Sequence, residues 1–433
     1  MRARIATATA AVGVLLGATA ACGSSSSSSK PPTDDKSASG AITVWLQTDA
    51  QTLWPQAVTD ADAAFNKVYP NVKVTVSYQA WTDHLTKFDA AAQAHTAPDV
   101  IEFGNSETGQ YIAAGALKDL TSAKTDFENS ATWLDGLTQS CTMDAKLYCV
   151  PYYGGVRAVT YRKDIFADAG ITGAPATWAD LMTDIQTIAA KHASDPNFSA
   201  FYAPGSYPYG GLPFVYDAGG QIAKQGSDGK WAGTLESPEA EKGLASWKAL
   251  IDAGYKGDRT KTNLNSYTQL VNGTSAMFYD SSGQMTAIYG AKGDATLKDK
   301  IGTFALPSPT DSGQSVPPYL GGSDLAIPAS ASHSNWSQAW IKAYTSSTIE
   351  KQFVAGGFLA NTKDIKSSDP LSAAFAAELD HSWSVPVAKN WAQVEKDKII
   401  NQLLVDVATG KKSVDDAAKA ADAAIATDLN AAT

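Results

Sequence analysis

The chain has 433 residues, more than one hydrophobic core usually organises, so we expect two domains. Its 34 Lys and Arg residues against 44 Asp and Glu residues give a formal net charge of −10 at pH 7, which makes nucleic acid and anionic membrane surfaces poor partners. Beyond the amino terminus, no apolar stretch of the sequence has membrane-spanning length.

The amino terminus has the organisation of an export signal. A basic start, MRARIA, leads into an apolar run that ends at Cys22 in LLGATAAC. Small residues before a cysteine at the cut are typical of a lipoprotein signal, so we predict a signal peptide over 1–21 and a lipid such as palmitate on Cys22. Thr19 stands where such signals usually have Leu, which leaves open a plain secretory signal with Cys22 as a free thiol. Residues 22–40 are rich in serine and are predicted to be a flexible linker.

Strand and helix patterns alternate from Ala41 onward. ITVWLQ and VKVTVSYQ have the apolar alternation of strands, and a helical pattern that ends at Pro70 lies between them. The alternation continues through PDVIEFG, breaks near residue 155, and resumes with VRAVTYRKDIF and a helix over TWADLMTDIQTIAAKHA. The order predicts two α/β units with mainly parallel sheets and helices on both faces.

Two cysteines lie close together in the segment CTMDAKLYC. Cys141 and Cys149 have the spacing of a hairpin with Asp144 and Ala145 at its turn. Exported chains meet an oxidising environment, so we predict a disulfide, with two free thiols on facing strands as the alternative.

Enzyme motifs receive no positive support from the sequence. The five histidines do not approach a metal-binding spacing, and no G-x-S-x-G motif occurs. The separation of paired carboxylates is a three-dimensional property, so an exported glycan hydrolase remains the alternative function. We predict that the protein is not an enzyme and that it needs no metal or cofactor.

Aromatic residues are concentrated in loops, beside Gly, Pro or polar residues. Flat rings with polar tips suit the apolar faces of sugars, and neighbouring amides, carboxylates and guanidinium groups suit their hydroxyls. Packing of any one ring on its own domain is an equally good interpretation. Trp247 in EKGLASWKALI falls in line with apolar helix positions and is predicted to be core. The loop aromatics considered as ligand contacts are Trp81, Tyr153, Tyr207, Tyr209 and Trp383.

Several motifs together resemble the extracellular solute-binding proteins of carbohydrate ABC transporters, the family of maltose-binding protein. They include ITVWLQTD, KFDAAAQAHTAPDVIEFGNSETGQYIAAGALKDLT, KLYCVPYYGGVRAVTYRKDIF, NGTSAMFYDSSGQ, YLGGSDLAIPASA and GKKSVDDAAKAAD. NSETGQYIAAGAL with PYYGGVRAV is similar to the group that takes up N-acetylglucosamine or diacetylchitobiose.

The resemblance implies a two-lobed, periplasmic-binding-protein-like fold of type II, with hinge strands and a ligand cleft that closes by hinge bending. The chain would cross between lobes at VPYYGGVR, at GTFALPSP and after VAGGFLAN. The implied amino-terminal lobe comprises 41–154 and 303–357, and the carboxy-terminal lobe comprises 155–302 and 358–433.

The resemblance also implies ligand contacts at matching positions. Arg157, just past the first crossing, has two interpretations: a hydrogen bond to ligand, or an ion pair with an acid across the hinge. Some family members have Trp after MFYD, where this chain has Ser281, Ser282 and Gly283, so stacking would come from Trp383 or that subsite would be more polar. The other implied contacts are Asp49, Asn105, Glu107, Tyr207, Tyr209, Asp280, Gly321 and Gly322.

The predicted function follows from the signal and the resemblance together. We expect a monomeric, lipid-anchored extracytoplasmic protein that captures an oligosaccharide, of chitobiose or N-acetylglucosamine type, and delivers it to the permease of an ABC transporter. Binding of peptide, polyamine or metal is disfavoured by the few His and Cys residues and the many loop aromatics.

Overall fold

The computed structural model describes residues 36–431 except 263–265, 291–292, 312, 380–381 and 387. The chain from Lys36 onward forms one compact unit. Cys22, its predicted lipid and nearly all of the linker lie outside the described residues. Among the helices described, none is both long enough and apolar enough to cross a membrane.

Strands of the described residues form two larger sheets and two short antiparallel pairs. The strands are β1 Gly40–Gln47, β2 Val72–Gln79, β3 Val100–Gly104, β4 Thr142–Met143, β5 Lys146–Leu147, β6 Cys149–Gly155, β7 Arg157–Arg162, β8 Ser199–Tyr202, β9 Ala223–Gln225, β10 Trp231–Gly233, β11 Ser275–Ser281, β12 Ile301–Phe304, β13 Gly321–Ala326 and β14 Leu359–Ala360.

Helices cover the sheets and connect their strands. They are α1 Thr48–Thr52, α2 Pro55–Val68, α3 His84–Gln93, α4 Thr108–Ala113, α5 Asp135–Ser140, α6 Lys163–Asp168, α7 Trp178–Lys191, α8 Pro208–Asp217, α9 Pro238–Gly254, α10 Ser266–Val271, α11 Gln284–Tyr289, α12 Ser334–Tyr344, α13 Ser347–Ala355, α14 Ala373–Ala377, α15 Trp391–Lys396, α16 Ile399–Thr409 and α17 Val414–Leu429. Short 3₁₀ turns occur at Thr121–Asp126, Ala295–Lys300 and Pro370–Ser372.

The first lobe is built on a sheet with the order β14-β6-β13-β3-β1-β2. β1 alternates buried and less buried residues, and its buried Ile42, Val44 and Leu46 face the core of this lobe. β1 pairs in parallel with both β2 and β3, so the carboxyl ends of these three strands lie at one edge of the sheet. That edge carries the polar loops that begin near Asp49 and Asn105.

The second lobe is built on a sheet with the order β12-β7-β11-β8. β7 is antiparallel to both β11 and β12, whereas β11 and β8 are parallel. In the first sheet β13 is likewise antiparallel to β3 and β6. The prediction of mainly parallel sheets is therefore wrong, because strands adjoining the crossings between lobes run against their neighbours.

Three segments connect the two sheets. Val156 alone separates β6 of the first sheet from β7 of the second, and residues 305–320 lead from β12 back to β13. The third crossing follows β14, which still pairs with β6 through Leu359 and Gly154. The first sheet therefore includes Ala360, just past the predicted boundary between 357 and 358. Similarly, β12 extends to Phe304 in the second sheet, just past the predicted boundary at 302.

Each lobe has its own hydrophobic core, and a third cluster lies at the crossings. The core of the second lobe includes Trp247, which is 2% exposed on α9, so its prediction as a core residue is confirmed. The first-lobe core contains the rings of Trp54 and Phe103. The third cluster joins Val156 and Phe278 with Leu320. The described residues thus form the two-lobed arrangement that the sequence predicts.

The cysteine segment forms the predicted hairpin. β4 and β5 pair antiparallel, and Asp144 and Ala145 at the turn both have positive φ, as a type I′ turn requires. Cys141 and Cys149 are joined as a disulfide. Their sulfurs and the Asp324 carboxylate lie within 4.8 Å of one another, a spacing at which such groups can bind a metal ion. Because the two sulfurs are bonded to each other, they are not thiolate ligands for a metal.

Candidate functional site

Arg157 lies at the first crossing, surrounded by three tyrosines. Its Nε donates a hydrogen bond to the Tyr207 hydroxyl at 2.7 Å, and its guanidinium carbon is 4.5 Å from the centre of the Tyr209 ring. The Tyr319 ring is 5.3 Å away. Burial opposes the charge, but electrostatic attraction by Tyr207 and Asp280, the hydrogen bond to Tyr207 and the nearby Tyr209 together outweigh burial and raise the pKa of Arg157. The guanidinium is therefore a fixed cation facing aromatic rings.

Asp280 is connected to Arg157 through the Tyr207 hydroxyl. That hydroxyl donates to Asp280 Oδ1 at 3.0 Å, and Ser266 Oγ donates to Asp280 Oδ2 at 2.9 Å. Burial raises the pKa of Asp280, although Arg157 opposes the shift. β7 and β11 are neighbours in one sheet, so Arg157 and Asp280 belong to the same lobe rather than facing each other across the hinge. Nη1 donates to the Tyr319 carbonyl at 3.4 Å, so an electrostatic pairing through Tyr207 is compatible with a ligand contact by Nη2.

Tyr209 presents an aromatic platform at the start of α8. Its ring is stacked on that of Tyr319 with 4.3 Å between centres and 14° between planes. Tyr319 is fixed in turn by its hydroxyl, which donates to Asn105 Oδ1 at 3.0 Å. Asn105 Nδ2 donates to the Leu320 carbonyl at 3.0 Å. Asn105, at the carboxyl end of β3, therefore joins the first lobe to the crossing segment that positions the tyrosines.

Glu107 and His84 form a pair on the first lobe. His84 Nε2 is 2.8 Å from Glu107 Oε2, and the backbone N–H of Gly104 donates to the same oxygen at 2.9 Å. Burial lowers the pKa of His84, but the hydrogen bond to Glu107, the charge of Glu107 and smaller effects of the Trp81 carbonyl and Glu102 together outweigh burial, and the net shift is upward. The pair is therefore an imidazolium beside a carboxylate over a wider pH range than for an isolated histidine.

Asp49 and Trp81 lie next to this pair. Trp81 Nε1 donates to Asp49 Oδ2 at 2.8 Å, and the Trp81 ring contacts the His84 ring edge to face at 5.2 Å between centres. Trp81 is 38% exposed, which is unusual for so large an apolar side chain. Burial raises the pKa of Asp49. The first lobe thus has a continuous polar and aromatic edge, formed by Asp49, Trp81, His84 and Glu107.

Glu395 on α15 is a site residue that the sequence reasoning missed. Ser106 Oγ of the first lobe donates to its Oε2 at 3.1 Å, and Trp391 Nε1 and the Tyr209 hydroxyl donate to its Oε1 at 3.0 and 3.5 Å. Burial, reinforced by the nearby Glu107, raises the pKa of Glu395 to about 7. The available signal was an acid four residues after Trp391, which places both side chains on one helix face.

Two predicted contacts are packed inside their own lobes. Trp383 is 7% exposed and stacks on Tyr216 with 4.3 Å between ring centres, close to Tyr319. Tyr153 lies against Trp54 and Phe358 in the first-lobe core. Both rings are buried in this conformation, so stacking of either ring on a ligand stays a prediction.

The two predicted glycines differ in what surrounds them. A Cβ on Gly321 would lie 3.4 Å from Arg157 Nη1 and 3.2 Å from the Tyr319 ring, so a side chain there would crowd the site. A Cβ on Gly322 would lie 2.4 Å from the Tyr153 carbonyl oxygen of β6. Strand packing alone therefore requires glycine at 322, whereas Gly321 borders the tyrosine and arginine cluster.

The lobes touch on the side of α15. Besides the contact of Ser106 with Glu395, Lys396 Nζ of α15 is 3.1 Å from Asp89 Oδ2 of α3. A cavity of about 30 Å³ between the lobes is lined by Asn105 and Tyr319 and has room for water but not for a sugar ring. A ligand that reaches these groups must therefore enter when the lobes separate.

The fold and this two-sided site define a class of protein: a two-lobed binding protein that encloses a small polar ligand between lobes joined by crossing strands. The model of the bacterial extracellular solute-binding protein family matches residues 45–351, and the chain belongs to this family. The family and the two-lobed fold predicted from the sequence are both confirmed.

Known relatives agree with this assignment. The chain is 29% identical over 425 residues to the diacetylchitobiose-binding protein DasA of Streptomyces coelicolor, a match that covers 96% of each chain. Among solved structures, the GacH receptor of Streptomyces glaucescens, described with acarbose bound, has a TM-score of 0.78 at 20% identity over 92% of this chain and all of that one. The sugar-binding protein MalE of Xanthomonas citri has a TM-score of 0.74 at 22% identity, over 90% of this chain and 97% of MalE.

Proposed function

We propose that this protein captures an oligosaccharide between its lobes and delivers it to the permease of an ABC transporter. The observation that carries the proposal is the pairing of two complementary edges. The first lobe contributes the exposed Trp81 beside Asp49, and the second contributes Tyr209 beside Arg157. Rings that stack on a sugar face, next to charged groups that bond its hydroxyls, are the usual composition of a sugar site.

Ligand capture would shift the protein between open and closed states. A sugar held by groups of both lobes binds the closed state better than the open one, so it favours closure by that difference in affinity. The crossings at Val156, at 305–320 and after Ala360 are the proposed hinges, with lobes close to 41–154 plus 303–357 and 155–302 plus 358–433. A permease that recognises the closed shape would then accept only the loaded protein.

The proposed ligand class is a chito-oligosaccharide, with N-acetylglucosamine units. The diacetylchitobiose-binding relative supports it, because its 29% identity extends over 96% of the chain. The motifs NSETGQYIAAGAL and PYYGGVRAV, which resemble that group, contain the site residues Asn105, Glu107 and Arg157. The ligand-binding roles of Asp280, Tyr207 and Gly321 belong to the same proposal.

Calorimetric titration of the purified mature chain with a panel of sugars tests the proposal. The panel contains N,N′-diacetylchitobiose, maltose, a galacto-oligosaccharide and glucose. We expect saturable heat with N,N′-diacetylchitobiose and a higher unfolding temperature in its presence. The proposal fails if no sugar of the panel produces heat or a thermal shift.

We further propose that the protein binds its sugar without turning it over, as a monomer. Incubation with chitin or xylan oligomers followed by product analysis distinguishes a binding protein from the alternative, an exported glycan hydrolase. Unchanged oligomers are the expected result. Light scattering with and without sugar would report the mass of one chain if the protein is a monomer.

Export and anchoring complete the proposal. Cleavage after residue 21 and lipidation of Cys22 would hold the protein at the outer face of the membrane, and the serine-rich linker would keep it at high effective concentration near its permease. We expect Cys22→Ala to move the protein from the membrane fraction to the medium. Continued membrane association of that variant would contradict the anchor. We also propose that Cys141 and Cys149 are oxidised in the exported protein, so that thiol titration of Cys22→Ala yields no free thiol.

A further inference from the structure

Glu395 is placed where the two lobes meet. It belongs to α15 of the second lobe, yet its Oε2 accepts a hydrogen bond from Ser106 Oγ of the first lobe. The loop that carries Ser106 also carries Glu107, whose charge acts on Glu395. Separation of the lobes would therefore take Glu395 away from both neighbours and return its carboxyl group to water.

The cations near Glu395 already have acidic partners. On the first lobe, His84 pairs with Glu107, and Asp89 of α3 pairs with Lys396 of α15 while also accepting from the Tyr111 hydroxyl. Within the second lobe, Arg157 is directed toward Asp280 through Tyr207.

The remaining donors to Glu395 are neutral. They are Ser106, Tyr209 and the indole N–H of Trp391. Among the described residues, closure therefore brings a carboxylate out of water and toward a second carboxylate, Glu107, and the cation that accompanies Glu107, His84, is already bound to it. A proton on Glu395 removes that unfavourable charge.

We propose that Glu395 takes up a proton when the lobes close, so that the protein holds a neutral sugar more tightly at mildly acidic pH than at mildly alkaline pH. Glu395 is a positioning residue in this account, since it joins the lobes through Ser106 and supports the Tyr209 platform. The inference rests on the proposed function, because it concerns the closure that accompanies sugar binding.

The direction of the effect follows from linkage. In the closed arrangement burial and Glu107 hold the pKa of Glu395 at about 7, and in the open arrangement we expect a pKa near the ordinary 4.5. A raised pKa in the closed state means that closure binds protons between these two values. The stabilisation that the proton gives the closed state is complete below about pH 4.5, declines as pH rises, and is lost above about pH 7. Sugar affinity should therefore fall about tenfold between about pH 6 and about pH 8 and change little above that.

Calorimetry of the mature chain with N,N′-diacetylchitobiose measures the proton directly. Titrations at about pH 6 in two buffers of different ionisation enthalpy give the number of protons taken up on binding. We expect an uptake approaching one proton at about pH 6 and close to none at about pH 8. Binding without proton uptake at about pH 6 would overturn the inference and leave the proposed function standing. Failure of every sugar to bind would instead be a failure of the proposed function.

Two variants assign the proton to its residue. Glu395→Gln keeps the size and the hydrogen-bonding oxygen of the side chain but cannot titrate, so we expect no uptake and equal affinity at both pH values. The matched control is Asp62→Asn, because Asp62 also has a pKa raised by burial but contacts Trp340 inside the first lobe. It should retain the uptake of the wild type. Uptake that survives in Glu395→Gln would assign the proton to another group, such as His84, and overturn the inference. If that variant does not fold, wild-type binding without proton uptake at about pH 6 would still overturn it.

Discussion

Trp81 and Asp49 are joined by a hydrogen bond from the indole Nε1 to the carboxylate Oδ2, 2.8 Å long, at the exposed edge of the first lobe. Asp49 follows β1 and Trp81 follows β2, two strands that are parallel and adjacent. Their carboxyl ends therefore lie side by side, and the bond fixes the indole orientation. An oriented, exposed indole is ready to stack on a ligand without a further loss of side-chain freedom.

Trp81→Ala should weaken sugar binding without weakening the fold. We expect the affinity for N,N′-diacetylchitobiose to fall about tenfold or more, corresponding to about 1.4 kcal/mol. Because Trp81 is 38% exposed, the unfolding temperature should change by no more than about 2 °C. Calorimetry and thermal unfolding measure the two effects. Val68→Ala is the control, at an apolar position of α2 that is 40% exposed. It should change neither the sugar affinity nor the unfolding temperature.

Arg157→Met should destabilise the protein before any ligand is added. The substitution removes the cation that opposes the raised pKa of the buried Asp280, and it leaves the Tyr207 hydroxyl without its 2.7 Å donor. We expect a loss of about 2–3 kcal/mol in the free energy of unfolding, measured by urea denaturation. Arg162→Met is the control at the other end of β7, where Arg162 pairs with the partly exposed Asp164 and donates to the Leu270 carbonyl. Its cost should be smaller because water screens the partner carboxylate, and equal losses for the two variants would contradict the account.

Gly322→Ala tests whether strand packing requires the glycine at this position. Its Cβ would lie 2.4 Å from the Tyr153 carbonyl oxygen, so β13 and β6 would have to separate, and we expect a cost of about 2 kcal/mol or more. Gly109→Ala is the control because a Cβ at Gly109 on α4 meets nothing within 4 Å, and alanine is the better helix former. The control should be neutral or slightly stabilising. Equal stability of both variants would show that β13 adapts more easily than its packing indicates.

Asp324→Asn should reduce the dependence of stability on pH. Asp324 is completely buried in β13, its Oδ2 accepts from Thr108 Oγ1 at 2.7 Å, and burial raises its pKa from 3.8 to about 7. A pKa that is higher in the folded than in the unfolded state gives stability that is full below about pH 3.8 and is lost as pH rises to about 7.

The slope of that dependence gives the measurement. Across this window the stability of the wild type should fall by about 1.4 kcal/mol per pH unit from Asp324, added to the contributions of other groups. Urea denaturation at several pH values should show that the free energy of unfolding of Asp324→Asn lacks this fall of about 1.4 kcal/mol per pH unit. Asp119→Asn is the control, because hydrogen bonds from Thr121 lower the pKa of the exposed Asp119 and keep it ionised near neutral pH. An unchanged slope in Asp324→Asn would mean that the carboxyl group is ionised in the folded protein.

The local elements could be predicted because their signals lie within a few residues. The alternation in ITVWLQ gives β1, and the turn at Asp144 and Ala145 gives the hairpin that holds the disulfide. The sheet directions could not be predicted in this way. β13 is antiparallel to β3 because the chain returns from the other lobe, and this return depends on contacts far apart in sequence.

Only part of the candidate site could be predicted from the sequence, for a similar reason. Asp49, Asn105 and Glu107 follow strands whose ends share an edge, so their placement follows from the sheet. Trp383 was a reasonable candidate from its loop, but its ring is covered by Tyr216, which no local pattern reveals. Glu395 was missed because its significance comes from Ser106 on the other lobe, which only the folded chain brings near.

The central claim is that a sugar binds between the lobes and is contacted from both. A crystal structure of the mature chain grown with N,N′-diacetylchitobiose tests it most directly. The account predicts a sugar ring between Trp81 of the first lobe and Tyr209 of the second, with hydroxyl or acetamido groups within hydrogen-bonding distance of Asp49 or Arg157. A sugar bound outside this cleft, or one that contacts a single lobe only, would contradict the account.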